Sequence, residues 1–226
     1  MAIAEDYWNK IYSDSPFRKG KAPSQFLLDM LPRLRPGKCL DIGMGEGTNA
    51  VYLAQKGYTV KGFDVSSKAI ENAEKLARET GVTIETKRAD LDLFLFGMLE
   101  YDSIIMTFFK PCVPRYYSEI IRALKLGGSL LVESYTQEEQ KEAIGADDTY
   151  KDYYFKSNEL IQQLKGMKIL FYNEGIVGNK HVVQCLAQKP TDKDVAKYDL
   201  FNMQTGPKQT GQTAQQKLAE ALFKKK

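Results

Sequence analysis

Histidine is nearly absent from this chain: His181 is the single one in 226 residues, which excludes a histidine-rich metal site. Cysteine is scarce as well. The three present, Cys39, Cys112 and Cys185, are odd in number and form no CxxC pair, so they supply neither a disulfide framework nor a zinc site. An excess of either charge is also lacking. The 32 basic residues meet 29 acidic ones, for a net of +3, too little to argue for nucleic acid or an anionic membrane as a partner. The basic run Lys224 to Lys226 reads as a solvated end. There is no run of about 18 apolar residues and no apolar signal segment near Met1. These absences lead to the expectation of a soluble, cytoplasmic protein in a reducing compartment, without bound metal.

What is present is the make-up of a globular protein. Hydrophobic residues at 43% and charged residues at 27% argue against wholesale disorder, and the length suffices for one domain with a real core. From Lys38 onward strand and helix patterns alternate. Short apolar runs at Lys38 to Ile42 and Thr59 to Asp64 read as strands, each followed by a helix. The first helix covers Thr48 to Gln55. The second is N-capped by Ser66 and runs to Glu79, with Ala69, Ile70, Ala73, Leu76 and Ala77 at helical spacing. Val82 to Ala89, Tyr101 to Thr107 and Ser129 to Glu133 read as further strands, the last entered through a turn at Gly127-Gly128, with a helix over Pro114 to Leu124. The polar, tyrosine-rich stretch from Thr136 to Tyr154 reads as a lid, and Ser157 then caps a helix to Leu164. Met167 to Asn173 and His181 to Gln188 form an antiparallel pair joined through Gly175 to Lys180.

This alternation predicts an α/β fold: a Rossmann-like three-layer sandwich with a seven-stranded, mostly parallel sheet and an antiparallel last strand. Residues 1–36 read as an N-terminal cap segment containing a short amphipathic helix over Gln25 to Leu34. Residues 37–189 read as the ligand-binding domain, and 190–226 as a polar, largely disordered tail with a short helix near its end.

The chemistry concentrates between Leu40 and Thr48, where an apolar strand ends in Asp41 and runs into Gly43, Gly45 and Gly47, with Met44 and Glu46 between them. Glycines there admit positive φ and let backbone pass close to a ligand, while the following helix presents free N–H groups. The spacing is GxGxG, not the GxGxxG that receives a dinucleotide pyrophosphate, which disfavours a nicotinamide-dependent oxidoreductase. Asp64 ends the second strand, where an acid can accept from both hydroxyls of a ribose; its bland alternative is an acid at a helix start. Asp90 follows the third strand, where an acid can accept from an adenine amine, or else is an ordinary loop carboxylate. Thr107 and Phe108 end the fourth, where donor and acceptor would meet.

These residues carry a resemblance. Cys39 to Glu133 resembles the class I S-adenosylmethionine-dependent methyltransferases: Asp41-Ile42-Gly43-Met44-Gly45-Glu46-Gly47 matches their first motif, Asp64 their ribose-binding acid and Asp90 the adenine-side position. Leu124 to Gly128 with Leu130 to Glu133 matches their turn into the fifth strand. The opening Tyr7-Trp8-Asn9-Lys10-Ile11-Tyr12 with Gly20-Lys21-Ala22-Pro23 is similar to the tellurite-resistance TehB-like and thiopurine-methyltransferase-like group.

The resemblance implies S-adenosyl-L-methionine as cofactor, bound by Asp41, Gly43, Met44, Gly45, Gly47, Asn49, Asp64, Val65, Ser66, Asp90, Leu91 and Thr107. It implies methyl transfer to a small-molecule acceptor, a thiol or a chalcogen oxyanion, with no nucleic acid or membrane partner. Candidate acceptor-site residues are Trp8, Tyr12, Arg18, Phe108 and Tyr135. The aromatics equally suit packing of the N-terminal segment, and Arg18 equally suits a solvated charge. No catalytic acid–base pair stands out, as expected if the acceptor is already deprotonated. A non-catalytic S-adenosylmethionine-binding module acting with a protein partner is the competing reading.

Overall fold

The computed structural model describes residues 2–139, 152–191 and 194. The chain divides into two units, Met1–Pro190 and Thr191–Lys226. The tail expected to be disordered lies almost wholly outside the described residues, as does most of the expected lid, residues 140–151.

The first unit is built on one seven-stranded sheet. In chain order its elements are α1 (Ala2–Asp14), α2 (Gln25–Met30) running into a 3-10 turn (Leu31–Arg33), β1 (Lys38–Ile42), α3 (Thr48–Gln55), β2 (Thr59–Asp64), α4 (Ser67–Glu79), β3 (Glu85–Arg88), β4 (Tyr101–Thr107), α5 (Arg115–Ala123), β5 (Leu124–Tyr135), α6 (Glu159–Gln163), β6 (Lys168–Val177) and β7 (Lys180–Gln188). The strand order is β3-β2-β1-β4-β5-β7-β6. The pairs from β3 to β5 are parallel, and β7 runs antiparallel to both neighbours. The expected mostly parallel sheet with an antiparallel last strand is the one observed.

Side chains that alternate along each strand divide between two cores, as the pleat requires. Leu40, Ile42, Ile104, Met106, Leu130 and Val132 join one core with Tyr117 and Ile120 of α5 and Leu160 of α6. Cys39, Ile105, Leu131 and Leu186 join the other with Phe26 and Leu27 of α2 and Ala50 and Leu53 of α3. The sheet is therefore the middle of three layers. Parallel pairing of β1 to β5 brings their C-terminal ends to one edge, where the glycines lie.

Several boundaries differ from the sequence reading. The helix α1 is an addition to it. β3 is shorter than Val82 to Ala89, because Val82 and Ile84 turn down to pack against the α3–α4 side instead of pairing. β5 begins at Leu124, before the glycines read as a turn; they remain inside the strand, beside a register shift between Tyr101 and Ser103. Ser157 does not cap α6, whose N-cap is Asn158 in the left-handed region with no side-chain cap bond. The loop read as Gly175 to Lys180 is a two-residue turn, since β6 continues to Val177.

At the opposite edge of the sheet Asp102 acts as a clasp. Its carboxylate accepts from the Lys38 backbone N–H at 3.0 Å and from Lys125 Nζ at 2.7 Å, with Arg35 Nε at 3.3 Å; Gly37 leaves the room it needs. Burial alone would raise its pKa, but Lys125, the Lys38 amide and Arg35 outweigh that and hold it below the ordinary value. Asp102→Ala is expected to cost about 1–3 kcal/mol, mostly from the unpaired Lys38 amide, the half-exposed cations adding little through water. A depressed carboxyl contributes stability above the ordinary carboxylate range and loses it as pH falls through its folded value. Thermal melts of the two proteins should therefore converge on acidification. Among the described residues, no helix is long and apolar enough to cross a membrane.

Candidate active site

The turn from β1 to α3 has a backbone that L-residues rarely adopt. Gly43, Gly45 and Gly47 sit at φ +63°, +53° and +72°, the left-handed region where a Cβ is penalised. Met44 between them is buried, and its N–H donates to the Phe63 carbonyl of β2 at 3.0 Å. This bond ties the turn to the neighbouring strand end. The Gly47 carbonyl accepts from Val51 N–H at 2.8 Å and so opens α3.

Two acids face this turn. Asp64 Oδ2 accepts from Gly45 N–H and Oδ1 from Ser66 N–H, both at 2.9 Å. Burial raises its carboxyl pKa, and these amides partly offset the rise. Asp41 is 1% exposed, and neither of its oxygens meets a donor in hydrogen-bonding geometry. Burial, then the Asp64 charge, hold it well above the usual carboxylate range; the Ala50 amide, near it but outside hydrogen-bonding geometry, pulls the other way. A buried carboxylate without a partner is costly to the fold.

The N-terminal segment packs over the same turn. A Cβ on Gly45 would lie 2.9 Å from the Tyr12 hydroxyl. Burial raises the Tyr12 pKa, and Asp64 and Glu46 add to the rise, so Tyr12 is a neutral phenol. Trp8 stacks on it at 5.9 Å between centroids. Two contacts outside the sequence reading hold this segment. Asn9 Oδ1 accepts from Ser66 Oγ at 2.7 Å and Lys68 N–H at 3.1 Å, supplying an acceptor to the start of α4 from another helix. Glu46 accepts from Phe17 N–H at 2.8 Å and Asn72 Nδ2 at 2.9 Å. An Asn in α1 and the fourth residue of a glycine motif carry no local signal of such partners.

Some expected ligand residues are engaged within the protein. Ser66 is fully buried and caps α4, accepting from Ala69 N–H at 3.0 Å. Asp90 lies two residues past β3, and its Oδ1 accepts from Leu93 N–H at 3.0 Å; Leu91 packs on the core. Val65 lies next to Asp64, with its amide turned to that carboxyl. Asn49 donates to Thr107 Oγ1 at 2.7 Å and accepts from Ser24 N–H at 2.8 Å. Ser24 Oγ in turn donates to Glu133 Oε2, and Glu133 Oε1 accepts from Gln184 Nε2 at 2.7 Å. Asn49 thus begins a polar chain that runs behind the strand ends from β4 to β7.

Aromatic residues stand at the ends of β4 and β5. Phe108 takes φ +54°, donates its N–H to the Glu133 carbonyl at 2.6 Å, and stays 41% exposed. Its ring centroid is 4.8 Å from that of Tyr135. Arg18 is exposed and close enough to Tyr12 and Lys19 for its charge to act on both. Among the described residues, no group of three or more His, Cys, Asp or Glu could hold a metal.

A family model described as tellurite resistance protein TehB matches residues 2–188. The chain is 25% identical over 181 residues to the probable S-adenosyl-L-methionine-dependent methyltransferase TehB of Haemophilus influenzae, covering 76% of this chain and 58% of that protein. It is 28% identical over 160 residues to a putative methyltransferase of Geobacillus sp. strain WCH70, covering 68% and 62%. The crystal structure of Haemophilus influenzae TehB is similar at a TM-score of 0.63 and 25% identity, over 82% of this chain and 66% of that one. The chain spans about three fifths of the length of these curated relatives, 58% and 62%.

Proposed function

Since the chain belongs to the tellurite resistance protein TehB family, we propose that it binds S-adenosylmethionine at the glycine turn and transfers its methyl group to a small-molecule acceptor, a thiol or a chalcogen oxyanion. The observation that carries this reading is the turn itself. Three left-handed glycines at alternate positions between β1 and α3 stand next to an acid at the end of β2 and a buried, unpartnered carboxylate in β1. Gly47 is also required by packing, since a Cβ there would meet Ala73 of α4 at 2.6 Å, but an ordinary strand–helix turn does not need the unpaired acid.

The residues present fit the cofactor. Gly43 and Gly45 bring bare backbone to the strand edge. Asp64 retains acceptor capacity beyond the amides of Gly45, Ser66 and Val65, since a carboxylate offers about four lone-pair sites. Asp41 offers a carboxyl group that no internal donor satisfies, suited to the cationic end of the ligand. When bound, S-adenosylmethionine supplies a methyl group already activated on a sulfonium sulfur. The protein's own task is then to orient and desolvate. Tyr12 and Tyr135 are both held above the ordinary tyrosine pKa, chiefly by burial, so they serve as hydrogen-bond donors and not as bases. An acceptor that is already an anion suits such a site.

Calorimetric titration with S-adenosylmethionine and its demethylated product, followed by a labelled-methyl screen over thiols, selenite, tellurite, carboxylates and small amines, tests the reading. Absence of any binding heat with either ligand would end it. Asp64→Asn, which keeps the shape but removes the charge, is expected to weaken S-adenosylmethionine binding by about 1–3 kcal/mol. Unchanged affinity would remove Asp64 from the ribose role.

A further inference from the structure

We propose that Lys19, Phe108 and Tyr135 form an acceptor subsite for a small organic anion with a flat apolar body, favouring an aromatic thiolate over an inorganic oxyanion. The proposal rests on the methyl-transfer reading above and narrows its substrate class.

Position comes first. Phe108 follows the last residue of β4, and Tyr135 is the last residue of β5. These strands are adjacent, with Thr107 opposite Glu133, and β4 pairs with β1, which carries the glycine turn. The two rings therefore stand on the same sheet edge as the turn, one and two strands away.

Phe108 is also held at an unusual conformation. A bulky residue at φ +54° is strained, and its ring remains 41% exposed although the next residue, Phe109, packs inward against Gly43. The ring is thereby turned away from the core and set against Tyr135 and Lys19 at the strand ends.

Lys19 adds charge. Its ammonium lies 4.5 Å from the Phe108 ring centroid and 5.6 Å from that of Tyr135, a cation–π arrangement that fixes the head group at the rings. Among the described residues no carboxylate stands within ion-pair distance of it. Lys19 is exposed to solvent, yet surrounding protein is dense enough to lower its pKa by desolvation, with Arg18 adding to the effect and Glu133 opposing it.

Charge and shape together select the acceptor. The two neighbouring cations, Arg18 and Lys19, disfavour protonated amines by like-charge repulsion. The aromatic surface continues to Tyr154, whose ring centroid is 6.4 Å from that of Tyr135. An inorganic oxyanion has no apolar body to set against the three rings that adjoin these cations and the Tyr135 hydroxyl. An organic anion can place its apolar body on the rings and its charge at Lys19. Methylating a thiolate forms one sulfur–carbon bond and breaks one sulfonium carbon–sulfur bond, whose electron pair stays on the departing thioether. No proton has to be removed.

The test uses the full chain and its Lys19→Met and Lys19→Arg variants. Initial rates with labelled S-adenosylmethionine are measured on 4-nitrobenzenethiolate, selenite and benzylamine, and S-adenosylmethionine affinity is measured separately by calorimetry. The expected order of kcat/KM is thiolate, then selenite, then amine. Lys19→Met should raise KM for the thiolate about tenfold or more, the loss of a contact to a charged group, with a smaller change in kcat and S-adenosylmethionine affinity retained. Lys19→Arg should restore most of the loss. An unchanged KM in Lys19→Met, a higher kcat/KM for selenite than for the thiolate, or cofactor binding without thiolate turnover would overturn the subsite. Failure of the wild-type chain to bind S-adenosylmethionine would instead overturn the methyl-transfer reading on which it rests.

Discussion

Valine at position 45 is expected to abolish S-adenosylmethionine binding while leaving the chain folded. Gly45 has φ +53°, and a Cβ there would point at the Tyr12 hydroxyl, 2.9 Å away. A β-branched residue adds strain of about 1–3 kcal/mol at such a backbone position and forces Tyr12 off the turn. The Gly45 N–H is also the donor to Asp64, so any shift of the turn disturbs the acid assigned to the ribose. We expect affinity to fall by at least about a hundredfold, or about 3 kcal/mol. Gly57→Val separates strain from obstruction. Gly57 has φ +87° with nothing within 4 Å of its Cβ position, so that variant should lose comparable stability and keep its affinity. Circular dichroism checks the fold and calorimetry the binding. A folded Gly45→Val protein with native affinity would refute the assignment of the turn.

The second large effect has the opposite sign for stability. Asp41→Asn should make the ligand-free protein more stable and the binding of S-adenosylmethionine weaker. The Asp41 carboxyl is buried, unpartnered and held well above its ordinary pKa, first by burial and then by Asp64. An acid whose pKa rises on folding contributes most to stability when protonated, and that contribution is lost as pH rises through its folded value. Asparagine cannot ionise, so its advantage over the wild type should be small in acid and grow toward neutral pH. A gain of about 1–3 kcal/mol at neutral pH is the scale of one unsatisfied buried group, or about 2–4 °C in Tm for each kcal/mol in a chain of this size. Melting curves across this pH range, with and without ligand, provide the measurement. Equal stability at every pH would mean that the carboxylate finds a partner in solution, and its proposed role toward the ligand would lose its support.

The sequence is most legible where local chemistry decides structure. β1, α3, β2 and β4 fall on the residues read for them; the first three are short patterned runs closed by glycine or by a strand-end acid, and β4 is a fully apolar run at its centre. Ser66 is recognisable as a helix cap for the same reason. Legibility fails where a partner distant in sequence decides. Nothing in Ala2–Asp14 signals that Asn9 will serve the start of α4, so α1 has no local signature. Gly127 and Gly128 resemble a turn until β4 and β7 pair with the strand that contains them. In the candidate site, the glycines and Asp64 can be picked out by spacing alone. Asn49 reads as a ligand residue, but both ends of its amide are taken by Ser24 and Thr107. A lone lysine in a loop carries no pattern, and only the two rings beneath Lys19 give it meaning.

The tight turn between β6 and β7 bears on how the molecule assembles. That ribbon joins neighbours in the chain, so it can zip up within about 1–10 μs, whereas β1 must find β4 across a long intervening stretch, a slower search. The outer margin of the sheet can therefore form early and dock onto β5 as a finished piece. Until it docks, Val183, Cys185 and Ala187, which end in the core, present an uncovered apolar row, and that interval is when self-association of unfinished chains competes with completion of the sheet.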